Sequence, residues 1–213
     1  KHKVPFRPVC TAWTGKFAAG SLYLDLRRMN RIVEINEKNM YAVVEPYVIT
    51  AQLQAELMKR GLHLNVKGAG SNCTAMLRGH GHLDQSTSGD DRNHLAIEWV
   101  TPAGEIVRTG SLGSNEEWFC GDGPGPSLRS ILTSATPPGA TPGVFTQAAM
   151  KVYHWPGPRQ FPIEGVSPNY SLREIPPNFM ARYFSFSSAE KAWQAEIALG
   201  EAEVCFELMG FNI

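Results

Sequence analysis

The 213 residues are enough for one complete domain and part of a second. Hydrophobic residues make up 43% of the chain, which can therefore bury a core, and no run approaches the ~18 apolar residues that predict a membrane span. The net charge is zero, so neither nucleic acid nor an anionic membrane surface is indicated as a partner. Four cysteines without C-x-x-C spacing are typical of reduced thiols in a cytoplasmic protein: Cys10, Cys73, Cys120 and Cys205.

The first part of the chain predicts a strand followed by a β-β-α unit. Val4–Gly15 (VPFRPVCTAWTG) is typical of a strand that runs into a turn. Two short apolar runs, Leu22–Leu26 and Met40–Glu45, then predict strands because they are rich in Leu, Val and Tyr. Thr50 is placed to cap a helix that ends near Gly61.

A long glycine-rich loop, Lys67–Arg92, follows a short predicted strand at Leu62–Val66. Loops of about 25 residues inside compact domains are usually functional or disordered, so this loop is a candidate site. The next two runs, Leu95–Thr101 and Glu105–Thr109, are joined by Pro-Ala-Gly and predict a β-hairpin.

The composition changes in the last third of the chain. Phe145–Trp155 predicts a strand that closes the first domain, and the proline-rich residues 161–178 are typical of a linker or an extended arm. A β-α-β unit follows, with strands at Met180–Ser185 and Ala202–Met209. Its helix is expected to begin at a capping box in Ser187–Glu190 and to stop at Gly200.

Several motifs together carry a family resemblance. They are DL-x-RMN-x-I from Asp25, AVVEP-x-V from Ala42, LQAEL-x-x-RGL from Leu53 and HLAIEWVTPAGEIVRTGS from His94. With these motifs, between about Val4 and Pro156, the chain resembles the FAD-binding domain of FAD-linked oxidases. This is the vanillyl-alcohol oxidase type, which includes the flavin subunits of glycolate oxidase and the D-lactate dehydrogenases.

The resemblance implies an α+β fold with a mixed or antiparallel sheet and flanking helices over residues 1–157. Family members have an opening β-α-β segment before this point, so the domain is expected to be incomplete at its N-terminus. Residues 158–213 are expected to be a linker and the beginning of an α+β substrate or cap domain.

The resemblance also implies FAD as cofactor and places it against three turns. Backbone amides can converge on a pyrophosphate only where side chains do not block the approach, which is why such turns favour glycine and small residues. The residues assigned to the cofactor are Cys10, Thr11, Ala12, Trp13, Thr14, Gly15, Gly70, Ser71, Thr74, Ala75, Met76, Gly79, His80, Gly81, Thr141, Gly143 and Val144.

Alternatives stay open at several of these positions. The turn at Cys10–Gly15 could be an ordinary connection between strands. His80 and His82 could ligate a metal, or they could hydrogen-bond a flavin or water. Cys73 could bond covalently to the flavin ring, or it could be a small loop residue.

The leading hypothesis is a FAD-dependent oxidoreductase subunit of a multi-subunit electron-transfer complex. Its flavin would accept a hydride from a small 2-hydroxy-acid-like substrate and pass electrons to a partner such as an iron–sulfur subunit. Because Cys10–Gly15 holds a single glycine, a non-catalytic structural or assembly subunit with a degenerate flavin site is the alternative. A third hypothesis is a metal-dependent hydrolase built on His80, His82, Asp84 and Asp90. No catalytic residue is assigned, because in complete family members the substrate-binding residues lie largely in the later domain.

Overall fold

The structure is a computed structural model that describes residues 3–9, 18–64, 94–109, 112, 118, 143–166, 169–180, 182–202 and 204. Within these residues the chain forms short strands and two helices. The elements are β1 (Phe6–Val9), β2 (Leu22–Asp25), β3 (Ile32–Asn36), β4 (Tyr41–Val44), α1 (Thr50–Met58), β5 (Leu62–His63), β6 (His94–Val100), β7 (Ile106–Arg108), β8 (Val144–Lys151), β9 (Tyr153–His154), β10 (Ile163–Val166), β11 (Asn169–Leu172) and α2 (Ala189–Glu201).

A five-stranded sheet with the order β3-β4-β8-β6-β7 is the centre of the described structure. Every neighbouring pair in it is antiparallel. All four residues of β4 are buried, because both faces of the sheet are covered at this strand. Ala42 and Val44 belong to one core cluster, and Tyr41 and Val43 belong to the other.

Helix α1 covers the first of these faces. Leu53 and Leu57 are fully buried and pack with Ile97 of β6 and Phe145 of β8. Leu112 covers part of the opposite face. Its side chain is 5% exposed and lies in the second cluster. Since burial of apolar side chains is the dominant favourable term in folding, these two clusters hold the domain together.

The predicted β-β-α unit omitted one strand. Leu22–Leu26 does form a strand, β2, but it pairs in parallel with β1 and lies outside the five-stranded sheet. The strand that pairs with β4 is β3, which the sequence pattern did not reveal. The sequence of β3, IVEIN, carries a charge and an amide and is only partly buried, so it lacks the continuous apolar run of its partner.

The helix prediction was right in position and wrong about its cap. Helix α1 begins at Thr50 itself, and the N-cap is Ile49, whose extended backbone makes no side-chain capping hydrogen bond. Thr50 is fully buried in the first turn of the helix. At the other end Gly61 has a φ of +71° and its N–H donates to the Met58 carbonyl at 3.1 Å, which confirms the predicted glycine stop.

The β6–β7 hairpin is confirmed, whereas the single strand predicted at Phe145–Trp155 is divided in two. The first part, β8, lies at the centre of the sheet, and Val152, directly after it, still donates its N–H to the Met40 carbonyl next to β4 at 3.0 Å. The second part, β9, pairs with β5. The strand predicted at Leu62–Val66 is correspondingly short, since β5 covers Leu62–His63, and Asn65 and Val66 lie outside the described residues.

The last third departs most from its predictions. The proline-rich residues 161–178 contain an antiparallel hairpin, β10–β11, and the described part of Met180–Ser185 is not a strand. Helix α2 is capped by Ser188, whose hydroxyl accepts from the Lys191 N–H at 3.3 Å, and it passes Gly200 to end at Glu201. The predicted strand at Ala202–Met209 lies mostly outside the described residues, and its described positions are not strand.

Candidate functional site

The described residues include one part of the predicted cofactor site. Gly143 and Val144 lie at the start of β8, where Val144 is opposite Val100 at the end of β6. The other assigned positions, Cys10–Gly15, Gly70–Gly81 and Thr141, lie outside the described residues. The same holds for the alternatives at Cys73, His80, His82, Asp84 and Asp90, so these stay predictions.

The conformation at Gly143 admits no side chain. Its φ is +107°, which L-residues rarely adopt, and a Cβ placed there would lie 2.1 Å from the Val100 carbonyl oxygen and 3.0 Å from Cδ1 of Trp99. The backbone at Gly143 therefore lies directly against the end of β6. The resemblance picked out this glycine, but the reason for it lies in the pairing of two strands far apart in the chain.

A bulge and a polar group brace the same corner of the sheet. The register of β6 and β8 shifts between Glu98 and Trp99, so Thr146 has no opposite residue. The Thr146 hydroxyl lies 2.9 Å from the Glu98 carboxylate, which also accepts from Nε of Arg108 at 2.9 Å. Bulges are frequent next to active sites because they redirect side chains. The sequence analysis placed Glu98 and Arg108 in a hairpin and Thr146 in the following strand, and it missed the polar group that they form.

The indole N–H of Trp99 lies beside this turn. It is buried and has no hydrogen-bond partner within the part of the chain that the structure describes.

The parallel pair β1–β2 fixes where the first predicted turn starts. Val9, the last residue of β1, lies opposite Asp25, the last residue of β2, and its carbonyl accepts from the Leu26 N–H at 2.9 Å. The segment that contains Cys10–Gly15 thus begins at the carboxyl end of a parallel strand. Ligands in sheets with parallel strands bind beyond these carboxyl ends.

The second predicted turn starts from an equally fixed position. Gln54 of α1 accepts a hydrogen bond from the Leu64 N–H at 2.9 Å, directly before residues 65–93. The neighbouring His63 lies between two rings, 5.8 Å from Tyr153 and 5.5 Å from Trp155 between centroids. Burial lowers the pKa of His63 from 6.5, so its imidazole is neutral at pH 7.

Replacing Gln54 with methionine is expected to lower the free energy of unfolding by about 1–2 kcal/mol, because the N–H of the buried Leu64 loses its acceptor. Methionine has nearly the same helix propensity, so α1 itself is unaffected. Urea unfolding of the full chain measures the change. Gln52→Met, at an exposed position of the same helix, is the control and should leave the unfolding midpoint unchanged. Equal losses in the two variants would contradict the anchoring role of Gln54.

An ion pair closes one end of the β3–β4 pair in the central sheet. Arg31 directly precedes β3, and its guanidinium donates to the carboxylate of Glu45, which directly follows β4, at 2.7 and 3.0 Å. The Arg31 amide donates to the second oxygen of the same carboxylate at 2.8 Å. The side chain of Glu45 is 6% exposed, and the hydrogen bond from Arg31 is the main reason that its pKa lies below the usual value.

The described residues give one end of each of the three predicted turns. The first follows the carboxyl end of β1, the second follows Leu64 with its hydrogen bond to Gln54, and the third ends at Gly143, where a Cβ would meet the Val100 carbonyl. In the described residues no group of three or more His, Cys, Asp and Glu side chains is arranged to hold a metal ion.

A family model described as the FAD binding domain matches residues 1–110, just over half of the chain. The chain belongs to this family. It carries a FAD-binding domain of the vanillyl-alcohol oxidase type, as its motifs indicated, and the predicted α+β fold class is confirmed. FAD is the cofactor of the domain.

Among curated proteins, the 1'-carboxy-chondrochloren decarboxylase of Chondromyces crocatus is 30% identical over 180 residues, which are 76% of this chain and 31% of that protein. The 4-cresol dehydrogenase [hydroxylating] flavoprotein subunit of Pseudomonas putida is 27% identical over 150 residues, which are 63% of this chain and 28% of that protein. The chain thus spans about a third of the length of the curated relatives that it matches.

Among solved structures, the 4-ethylphenol oxidase from Gulosibacter chungangensis in its isoeugenol complex matches with a TM-score of 0.56 and 23% identity. The match covers 71% of this chain and 30% of that protein. At this identity the likeness supports the fold alone.

Neither described helix is long and apolar enough to cross a membrane.

Proposed function

We propose that the full protein containing this chain oxidises a para-substituted phenol with FAD and passes the electrons to a partner protein. The observation that carries this proposal is the match to the flavoprotein subunit of 4-cresol dehydrogenase, since the name of that relative states both a phenol substrate and a subunit arrangement. Bound FAD supplies a two-electron acceptor that takes a hydride from a substrate carbon.

The part of this chain is to bind and orient the cofactor. We assign the pyrophosphate contacts to the backbone amides and small side chains of Cys10–Gly15, because this segment starts at the carboxyl end of β1. The segments around Gly70–Gly81 and Thr141–Val144 would line the rest of the cofactor. The division into a FAD-binding domain at 1–157 and a linker with the start of a cap domain at 158–213 belongs to the same proposal, as does the cytoplasmic location.

A 2-hydroxy acid is the second candidate substrate. It is favoured by the motifs around Asp25, Ala42 and His94, which resemble those of glycolate oxidase and D-lactate dehydrogenase flavin subunits. The non-catalytic subunit is the remaining alternative, favoured by the single glycine in Cys10–Gly15. The two candidates and the leading proposal differ in the flavin absorption that they predict and in the substrate that bleaches it, so one experiment separates the three.

The full protein is expected to purify with FAD and to show the absorption of oxidised flavin near ~450 nm. Under anaerobic conditions 4-methylphenol should bleach this band, whereas 4-methylanisole, which lacks the phenol hydroxyl, should not. Bleaching by glycolate or D-lactate but not by 4-methylphenol would replace the proposed substrate class with 2-hydroxy acids. A colourless protein that does not take up added FAD would favour the non-catalytic alternative.

A further inference from the structure

Three aromatic side chains meet where the predicted linker begins. Trp155 lies directly after β9, and Phe161 and Phe179 lie at the two ends of the segment that contains the β10–β11 hairpin. The ring centroids are 5.9 Å apart for Trp155 and Phe161, 5.4 Å for Trp155 and Phe179, and 5.5 Å for Phe161 and Phe179. The rings are tilted or edge-to-face, which is the arrangement that aromatic pairs prefer.

The backbone at Gly157 is part of this cluster. A Cβ placed on Gly157 would lie 2.6 Å from Cζ2 of Trp155 and 2.7 Å from Cε2 of Phe179. Two rings therefore pack directly onto the backbone, and even a methyl group at this position would displace them.

Two hydrogen bonds hold the same elements together. The indole N–H of Trp155 donates to the Pro158 carbonyl at 2.7 Å, and the amide of Asn178 donates to the Pro156 carbonyl at 3.1 Å. The first bond fixes the indole at the start of the segment, and the second joins the two ends of the loop from 158 to 180, which is therefore closed by a polar as well as by apolar contacts.

The cluster is anchored on the central domain. The backbone N–H of Trp155 donates to the Gly61 carbonyl at 2.8 Å, and the Trp155 ring contacts His63 of β5. Strand β5 in turn is held to α1, because Leu62 packs in the same core cluster as Leu53 and Leu57. A continuous set of contacts therefore runs from the core to Phe161 and Phe179.

The hairpin beyond this base contributes little burial of its own. Ile163 and Val166 of β10 are 57% and 81% exposed, and Leu172 of β11 is 43% exposed. A two-stranded hairpin that buries so little apolar surface is marginal by itself. What orders the segment is therefore the contact at its base.

We propose that Trp155, Gly157, Phe161 and Phe179 form an aromatic lock that closes residues 158–180 into a rigid strap on the FAD-binding domain. The polypeptide beyond residue 180 then leaves this domain from a fixed position, whereas the composition alone indicates a linker or an extended arm. The four residues are positioning residues, and the lock does not depend on the substrate or on bound cofactor.

The test compares Gly157→Ala and Phe179→Ala with the wild-type full chain by hydrogen–deuterium exchange and limited trypsin digestion. Cleavage at Arg159 and Arg173, which are both exposed, should be about tenfold faster in each variant, because cleavage follows the population of the opened strap. Amide exchange should rise over residues 158–180 and stay unchanged in β4 and β8. Ile175→Ala is the control, since Ile175 is 58% exposed in the same strap and outside the lock.

Three results would overturn the proposal. The first is a wild-type strap that already exchanges at the rate of an unstructured chain. The second is unchanged protection of residues 158–180 in both variants. The third is unfolding of the entire domain in both, since the cluster would then belong to the global core and would not be a local lock. None of these results bears on flavin binding, so the lock and the proposed function fail separately.

Discussion

Replacing Gly143 with alanine is expected to lower the free energy of unfolding by more than about 3 kcal/mol. Two costs add at this position. A non-glycine residue at a φ of +107° is strained by about 1–3 kcal/mol. The new Cβ would also lie 2.1 Å from the Val100 carbonyl oxygen, and since this neighbour is backbone of a residue paired with both β7 and β8, it cannot move aside without disturbing the ladder.

A second glycine separates the two costs. Gly104 has a φ of +88° in the β6–β7 turn, but a Cβ there would meet no atom within 4 Å. Gly104→Ala should therefore lower the free energy of unfolding through backbone strain alone, by about 1–2 kcal/mol. Urea unfolding of both variants in the full chain measures the difference, and equal losses would show that the close approach to Val100 carries no energy.

Local chemistry in the sequence was sufficient for the β6–β7 hairpin and for the end of α1. In both places the signal and its cause lie within a few residues: Pro-Ala-Gly makes the turn, and Gly61 takes the left-handed conformation that ends the helix. Strand β3 could not be found in the same way, because Glu34 and Asn36 interrupt its apolar residues and its partner β4 determines the pairing. Propensity is a weak guide where pairing decides.

In the candidate site, too, the sequence predicts some residues, whereas their physical role depends on contacts between distant parts of the chain. The motifs led to Gly143 and Val144, but the physical requirement at Gly143 comes from Val100, which is distant in the chain. The anchor of Leu64 on Gln54 likewise depends on how a helix and a strand meet. Residues 161–178 were interpreted as a linker because composition reports proline content, whereas their order comes from contacts of Phe161 and Phe179 with Trp155.

Replacing Glu45 with glutamine is expected to lower the free energy of unfolding by about 1.5–3 kcal/mol at pH 7, the range for hydrogen bonds to a charged group. The buried carboxylate accepts two hydrogen bonds from the Arg31 guanidinium and one from the Arg31 amide. Glutamine fits the space but presents an NH₂ group to one of these donors, so the ion pair and at least one hydrogen bond are lost. Urea unfolding measures the loss, and Asp25→Asn is the matched control, because Asp25 pairs with Arg27 at the exposed surface and its loss should leave stability almost unchanged.

The pH dependence of the free energy of unfolding tests the same ion pair, because low pH protonates Glu45 in the wild-type protein. Because the hydrogen bond from Arg31 lowers the pKa of Glu45 below its usual 4.5, the folded state holds this proton less tightly than the unfolded state. The carboxylate therefore contributes its full stability above about pH 4.5, and this contribution is lost as the pH falls through the folded pKa. The difference between wild type and Glu45→Gln should accordingly shrink as unfolding is measured at successively lower pH. A difference that stays constant from pH 7 to pH 3 would mean that the carboxylate charge contributes nothing, and that Glu45 holds the ends of β3 and β4 together through its shape alone.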